Sequence, residues 1–432
     1  MSVISLFPHR RGGAEWFIVE HMRIRKLLAL ALAWVLVASV PASARTDDPL
    51  YDQLWGLRRI GAESAWQFSR GAGVLIAVID TGVDLEHPDL KDQLVPGMSV
   101  VGAGPPDDKH GHGSLIAGIA AASADNAEGI AGVAPDAKVL PIRVFDAAGS
   151  ATSSSVARAI RFAVDAADRR RAKLVLNLSF VGPSQPQSEV EGDPGSAIFG
   201  DEAVKRAISD AAAAGAVVVT AAGNESAPQT AFDPPSHRGI IVVGASDKDD
   251  NCAGFTNYGP GLDILAPGIG ILSTYWNAPE DSSGYAYADG TSMAVPFVAG
   301  AAALLMAEGL DNVATVDRLI TTARGAGVSC RGESSRYRIV DVAAAFGVIR
   351  QDVDEPESNS EPGTPIPSAL ILQGEGSGPV VVDPQTGAQA LAPSEQISGL
   401  LRITPLRALA ASLVFVVLTF MLLARTAGEP DP

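Results

Sequence analysis

The chain has 432 residues, 47% of them apolar and 19% charged, with a formal net charge of −17. That length allows one large α/β domain or two to three smaller ones, and the apolar share suffices for a sizeable core. The acidic balance excludes the basic footprint of a nucleic-acid binder, so no nucleic-acid partner is expected.

In chain order, residues 1–21 match no targeting signal. Met22-Arg23-Ile24-Arg25-Lys26 is then a basic stretch, 27–40 an apolar one, and Ala42-Ser43-Ala44 supplies small residues for cleavage. This is the pattern of a secretory signal peptide, with Met1 or Met22 as its start, or of an uncleaved anchor. Residues 1–44 are extension and signal, and the domain that follows is expected outside the cytoplasm. The globular part is expected over 45–350.

Val74-Leu75-Ile76-Ala77-Val78-Ile79 is a continuous apolar run ending in Asp80-Thr81-Gly82. Similar runs lie at 138–144, 174–180, 216–222 and 239–245, with helical patterns at 114–124, 154–168 and 201–214. Strands apolar at every position are buried on both faces, and their alternation with helices predicts an α/β fold around a mostly parallel sheet. In such sheets ligands gather beyond the carboxyl ends of the strands. Asp80 and Asn224 stand at such ends, although each is also a common turn residue. His112 opens the first of the helical patterns, where a single histidine is more often structural. Ser292 precedes the apolar run 297–306, so it suits either a helix cap or a nucleophile whose oxyanion faces unpaired N–H groups. The two cysteines, Cys252 and Cys330, either pair or remain as buried thiols.

Taken together, AVIDTGVDLEHPDL (77–90), GHGSLIAGIA (111–120), GIAGVAPDAKVLPIRV (129–144), LNLSFVGP (176–183), TAAGNES (220–226) and DGTSMAVPFVAGAAAL (289–304) resemble the subtilisin-like serine proteases. The resemblance runs from about 48 to 348, in that family's order Asp, His, Ser. It implies a three-layer subtilisin-like fold and a serine endopeptidase acting on protein or peptide substrates. Ser292 would be the nucleophile, His112 the general base and Asp80 its orienting carboxylate. Asn224 would stabilise the oxyanion. His110 is out of register for the base. Substrate would pair with Gly149-Ser150-Ala151 and Ser179-Phe180-Val181, with Ala221-Ala222-Gly223 as the other S1 wall. Val181 replaces a common glycine there and narrows that side. The acidic insertion 183–200 is either an inert loop or a flap over the cleft. A structural Ca²⁺ is expected on the side chains of Asp48, Asp89 and Asn126 and the carbonyls of Ser123, Glu128 and Ile130. Between the signal and the domain there is no room for the family's prodomain, so folding without one is expected. The same scaffold and residues could also serve a peptide ligase or cyclase, or a non-catalytic peptide-binding protein.

Beyond the domain, 351–368 is acidic and proline-rich and reads as a linker. Residues 369–407 form an irregular juxtamembrane segment. Residues 408–424 are apolar or small, between Arg407 and Arg425, and as a helix would span about 26 Å, enough for a thin bilayer. A transmembrane helix with the short tail 425–432 is expected there. Signal, protease domain, linker and anchor are arranged as in the mycosins, a membrane-bound subtilase group.

Overall fold

A computed structural model describes residues 46–146, 149–180, 198–228, 239–276, 284–332, 336–350 and 366–367. The signal, Val181, nearly all of the 183–200 insertion, most of the linker and the 408–424 segment lie outside the described residues. Among the described residues no helix is long and apolar enough to cross a membrane.

The strands in chain order are β1 Val74–Asp80, β2 Met98–Ser99, β3 Lys138–Arg143, β4 Lys173–Leu178, β5 Val217–Ala221, β6 Ile240–Ser246, β7 Ile264–Pro267, β8 Ile271–Thr274, β9 Tyr285–Asp289, β10 Arg324–Val328, β11 Tyr337–Ile339 and β12 Ile366–Pro367. The helices are α1 Trp55–Ile60, α2 Ala62–Trp66, α3 His112–Ala121, α4 Ser153–Arg170, α5 Glu202–Ala213, α6 Thr291–Ala307, α7 Asn312–Thr322 and α8 Val342–Ala345. The main sheet runs β10-β11-β7-β6-β5-β4-β1-β3-β2, parallel throughout except for the β10–β11 edge. A small second sheet pairs β8 with β9 antiparallel, and β12 adds to β9 inside the stretch read as linker.

β1, β5 and β6 are buried at every position. A strand can be so only when both faces are covered, as the apolar runs require. Helices α4 and α5 cover one face, and α3 and α6 the other, which gives the expected three layers. Leu75, Ala77 and Ile79 of β1 pack with Val156, Ile160, Val204 and Ile208 of α4 and α5. Side chains alternate along a strand, so Ile76, Val78 and Asp80 face the α3/α6 layer instead. This two-residue period turns the Asp80 carboxylate toward α3.

Local chemistry sets the helix ends. Thr152 and Ser155 form a reciprocal capping box at α4, Asp201 caps α5 and Asp311 caps α7. Cys252 and Cys330 form a disulfide with Cα atoms 5.3 Å apart, which decides between the two states open to them. Closing a loop of 78 residues constrains the unfolded chain by about 4 kcal/mol in the loop-entropy picture.

Candidate active site

Asp80 ends β1 and is fully buried. Its Oδ1 lies 2.8 Å from Nδ1 of His112, the first residue of α3, and accepts the Thr81 N–H at 2.7 Å. The helix begins two residues earlier than the hydrophobic pattern suggests, so His112 sits in its first turn. The other ring nitrogen, Nε2, is buried and has no hydrogen-bond partner among the described residues. Burial works against the charged imidazolium, but the Asp80 carboxylate, with a further contribution from Asp108, outweighs it. The His112 pKa therefore lies above its ordinary value of 6.5. A proton accepted at Nε2 would thus be well held. His110 is placed elsewhere, with its Nε2 3.2 Å from the Asp146 carbonyl.

Ser292 is the second residue of α6, whose N-cap is Gly290 with φ 143° and no side-chain cap. Pro296 sits inside this helix and lacks the N–H that would bond the Ser292 carbonyl. The Ser179 hydroxyl donates to that carbonyl instead, at 3.0 Å. Thr291 donates its N–H and its hydroxyl to Asn224 Oδ1, each at 2.9 Å, and its hydroxyl accepts the Gly223 N–H at 3.2 Å. Because Oδ1 is taken by two donors, the amide orientation of Asn224 is decided, and its NH₂ is left for another acceptor. Strand ends β1, β4 and β5 and the N-termini of α3 and α6 thus meet at one rim of the sheet. No hydrogen bond joins Ser292 Oγ to His112 Nε2 here, and such contacts commonly tighten only in the substrate complex.

The subtilase family model matches residues 71–357. The chain belongs to the subtilase family. It is similar to a thermophilic serine proteinase of Bacillus sp. strain AK1, 41% identical over 261 residues that make up 60% of this chain and 59% of that protein. It is 39% identical to thermitase of Thermoactinomyces vulgaris over 61% of this chain and 86% of thermitase. Among solved structures, one of the proteases from Pseudoalteromonas arctica superposes with a TM-score of 0.60 at 29% identity, covering 70% of this chain and 99% of that one. Subtilases are serine-type endopeptidases, and that reaction class applies here.

For this subtilase the expected cleft walls fall in different places. Gly149, with φ 75°, and Ser150 turn against Asp146, whose Oδ1 accepts the Ser150 N–H at 3.0 Å. Ala151 is partly buried on the core beneath. The Phe180 ring is buried between Phe145 at 5.6 Å and Phe199 at 5.5 Å, which leaves only its backbone for the expected cleft. Ala221 and Ala222 are buried at the end of β5, and Gly223 has φ 102° where a Cβ would strike Asn257.

The residues expected to hold Ca²⁺ also come together. Asp48 and Asp89 are buried, and among the described residues no Lys or Arg is bonded to either. Asp48 accepts the N–H groups of Asp125 and Asn126, each at 3.3 Å. Asp89 accepts from Asn126 Nδ2 at 3.0 Å, the Ile130 N–H at 2.9 Å and the Tyr285 hydroxyl at 2.9 Å. Burial, and to a lesser degree the Asp89 charge, raises the Asp48 pKa. The carbonyls of Ser123, Glu128 and Ile130 accept no hydrogen bond among the described residues. Two uncompensated carboxylates beside three free carbonyls are a hard-oxygen donor set that fits Ca²⁺. Asn126 is the exception, since its NH₂ faces Asp89 while its Oδ1 accepts the Glu128 N–H at 3.0 Å. Ligation would turn that amide over.

Thr81, Asp108 and Thr291 support the candidate site and are missed by sequence reasoning. Thr81 meets Asp108 and Gly113, and Thr291 meets Asn224, across separations that no local pattern reveals.

Proposed function

We propose that this chain hydrolyses peptide bonds of protein substrates through an acyl-enzyme formed on Ser292. Ser292 Oγ attacks the scissile carbonyl while His112 Nε2 takes its proton and later returns it to the leaving amine. Asp80 holds the Nδ1–H tautomer and stabilises the imidazolium. The Asn224 NH₂ and the Ser292 backbone N–H, at the positive end of α6, receive the oxyanion. The observation that carries this reading is the buried 2.8 Å Asp80–His112 contact. A fluorophosphonate probe should label the folded protein, and a model peptide should yield two products whose masses sum to substrate plus water. A spliced or cyclised product would point to ligation, and absence of labelling to a binding protein.

Asn224→Ala tests the oxyanion role. For a subtilisin the corresponding loss is about 10²–10³ in kcat, and the same fall with little change in KM is expected here. An unchanged kcat removes Asn224 from the mechanism.

Asp48, Asp89, Asn126 and the carbonyls of Ser123, Glu128 and Ile130 would hold a structural Ca²⁺, which neutralises two buried charges and ties the N-terminal segment to the 123–130 loop. A site filled at a hundred times its Kd adds about 2.7 kcal/mol. Chelation is therefore expected to lower the Tm of a domain of about 300 residues by about 4 °C. A Tm indifferent to chelator and to added Ca²⁺ removes the metal.

Export, and tethering to a membrane by 408–424, are part of the same reading. They are supported by the 22–44 signal pattern, the apolar C-terminal run and a disulfide that suits an oxidising compartment. Fractionation of cells expressing the whole chain, with and without residues 408–432, checks both.

A further inference from the structure

Asp108 is fully buried, and among the described residues no cation is bonded to it, since the neighbouring Lys109 ammonium pairs with Asp107. Five donors surround its carboxylate. Oδ1 accepts the Thr81 hydroxyl at 2.8 Å and the N–H groups of His110 and Gly111 at 2.9 Å, while Oδ2 accepts the Ser114 N–H at 2.9 Å and hydroxyl at 2.6 Å. Helix α3 has no side-chain cap at its Gly111 N-cap. Its first-turn N–H groups are instead met by Asp108 at Ser114 and by Thr81 Oγ1 at Gly113, 2.9 Å. The Thr81 N–H in turn holds the same Asp80 oxygen that His112 meets. A short chain of bonds thus runs from Asp80 through Thr81 and Asp108 to the turn that carries His112.

We infer that Asp108 is a positioning residue of the active site, fixing the first turn of α3 so that the His112 imidazole meets Asp80, and adding a second buried negative charge beside it. The inference deepens the proposed protease reading and rests on it for its kinetic consequences. The five neutral donors and the helix N-terminus offset the cost of burying this carboxylate. Few other charges face His112. Helix α6 and strand β8 carry no ionisable residue, and β1 contributes only Asp80. On β3, Arg143 is turned to Ser99, Val101 and Asp107, and the Lys138 amine is held by Asp92 and Gln93. Tyr275 packs on Gly111, with its phenol held neutral by burial and by Asp108.

The test is an NMR titration of the His112 imidazole in the full chain, together with the pH profile of kcat/KM, for wild type and Asp108→Asn. The imidazole midpoint should fall by about one pH unit, the kcat/KM acid limb should follow it, and kcat should drop roughly tenfold at unchanged KM. A folded Asp108→Asn protein with an unmoved midpoint and wild-type kcat overturns the inference. Asparagine sets an N–H against the Ser114 N–H, so Thr81→Val serves where that variant does not fold. It keeps the Asp108 charge and the N–H bond to Asp80 but removes the hydroxyl that joins Thr81 to Asp108 and Gly113, and should lower kcat severalfold, with recovery in Thr81→Ser. Wild-type kcat in Thr81→Val overturns the positioning link. An imidazole that shifts as expected in a protein no fluorophosphonate labels would sink the protease reading and leave Asp108 in its place.

Discussion

Ser292→Ala is expected to abolish fluorophosphonate labelling and to lower kcat by about 10⁶, the scale measured when a subtilisin loses its nucleophile. Without Oγ no acyl-enzyme forms, and His112 has no hydroxyl to activate. What survives is binding together with the oxyanion donors Asn224 and the residue-292 N–H, which for such sites leaves about 10³–10⁴ over water. Folding should be untouched. Ser292 Oγ makes no hydrogen bond among the described residues, while the bond that seats the helix, from the Ser179 hydroxyl to the 292 carbonyl, remains. The check is therefore paired: kcat and labelling collapse while Tm stays within about a degree. A variant that still turns over peptide at the wild-type rate removes Ser292 as nucleophile.

Asp80→Asn should lower kcat by about 10⁴, again by the measure of a relative's triad, because an amide facing Nδ1 favours the wrong imidazole tautomer. The same substitution reports on pH. His112 must be neutral to act as base, so in the wild type kcat/KM falls as pH drops below the His112 pKa. That pKa lies above 6.5 because Asp80 opposes the burial of the ring. Removing the Asp80 charge leaves the burial that disfavours the imidazolium, so the residual acid limb must move to lower pH. A limb that stays in place shows that another group titrates. Both readouts come from one pH series of initial rates on a short peptide.

Much of the architecture could be read from the chain. Largely apolar runs at 74–79, 174–180 and 239–245 can be satisfied only by a sheet covered on both faces, and the period of two places Asp80 opposite Leu75, Ala77 and Ile79 whatever the rest does. Asp80, His112, Asn224 and Ser292 could be singled out as candidates because each lies in a local motif at a strand or helix end. Contacts between segments far apart in sequence were not. Whether Cys252 and Cys330 meet depends on how the loop after β6 and the end of β10 are brought together. Phe180, read as a cleft wall, turns its ring into the core because Phe145 and Phe199 from two other segments close around it. Ser179 is recruited to a carbonyl that Pro296 leaves free, 113 residues away. Asp108 and Thr291 look like ordinary loop and helix-start residues until folding brings the Thr81 hydroxyl to the one and the Asn224 amide oxygen to the other. Periodicity and motif are properties of neighbouring residues and survive without a fold. Buried polar groups must find partners wherever the chain brings them, and only the assembled tertiary structure decides which.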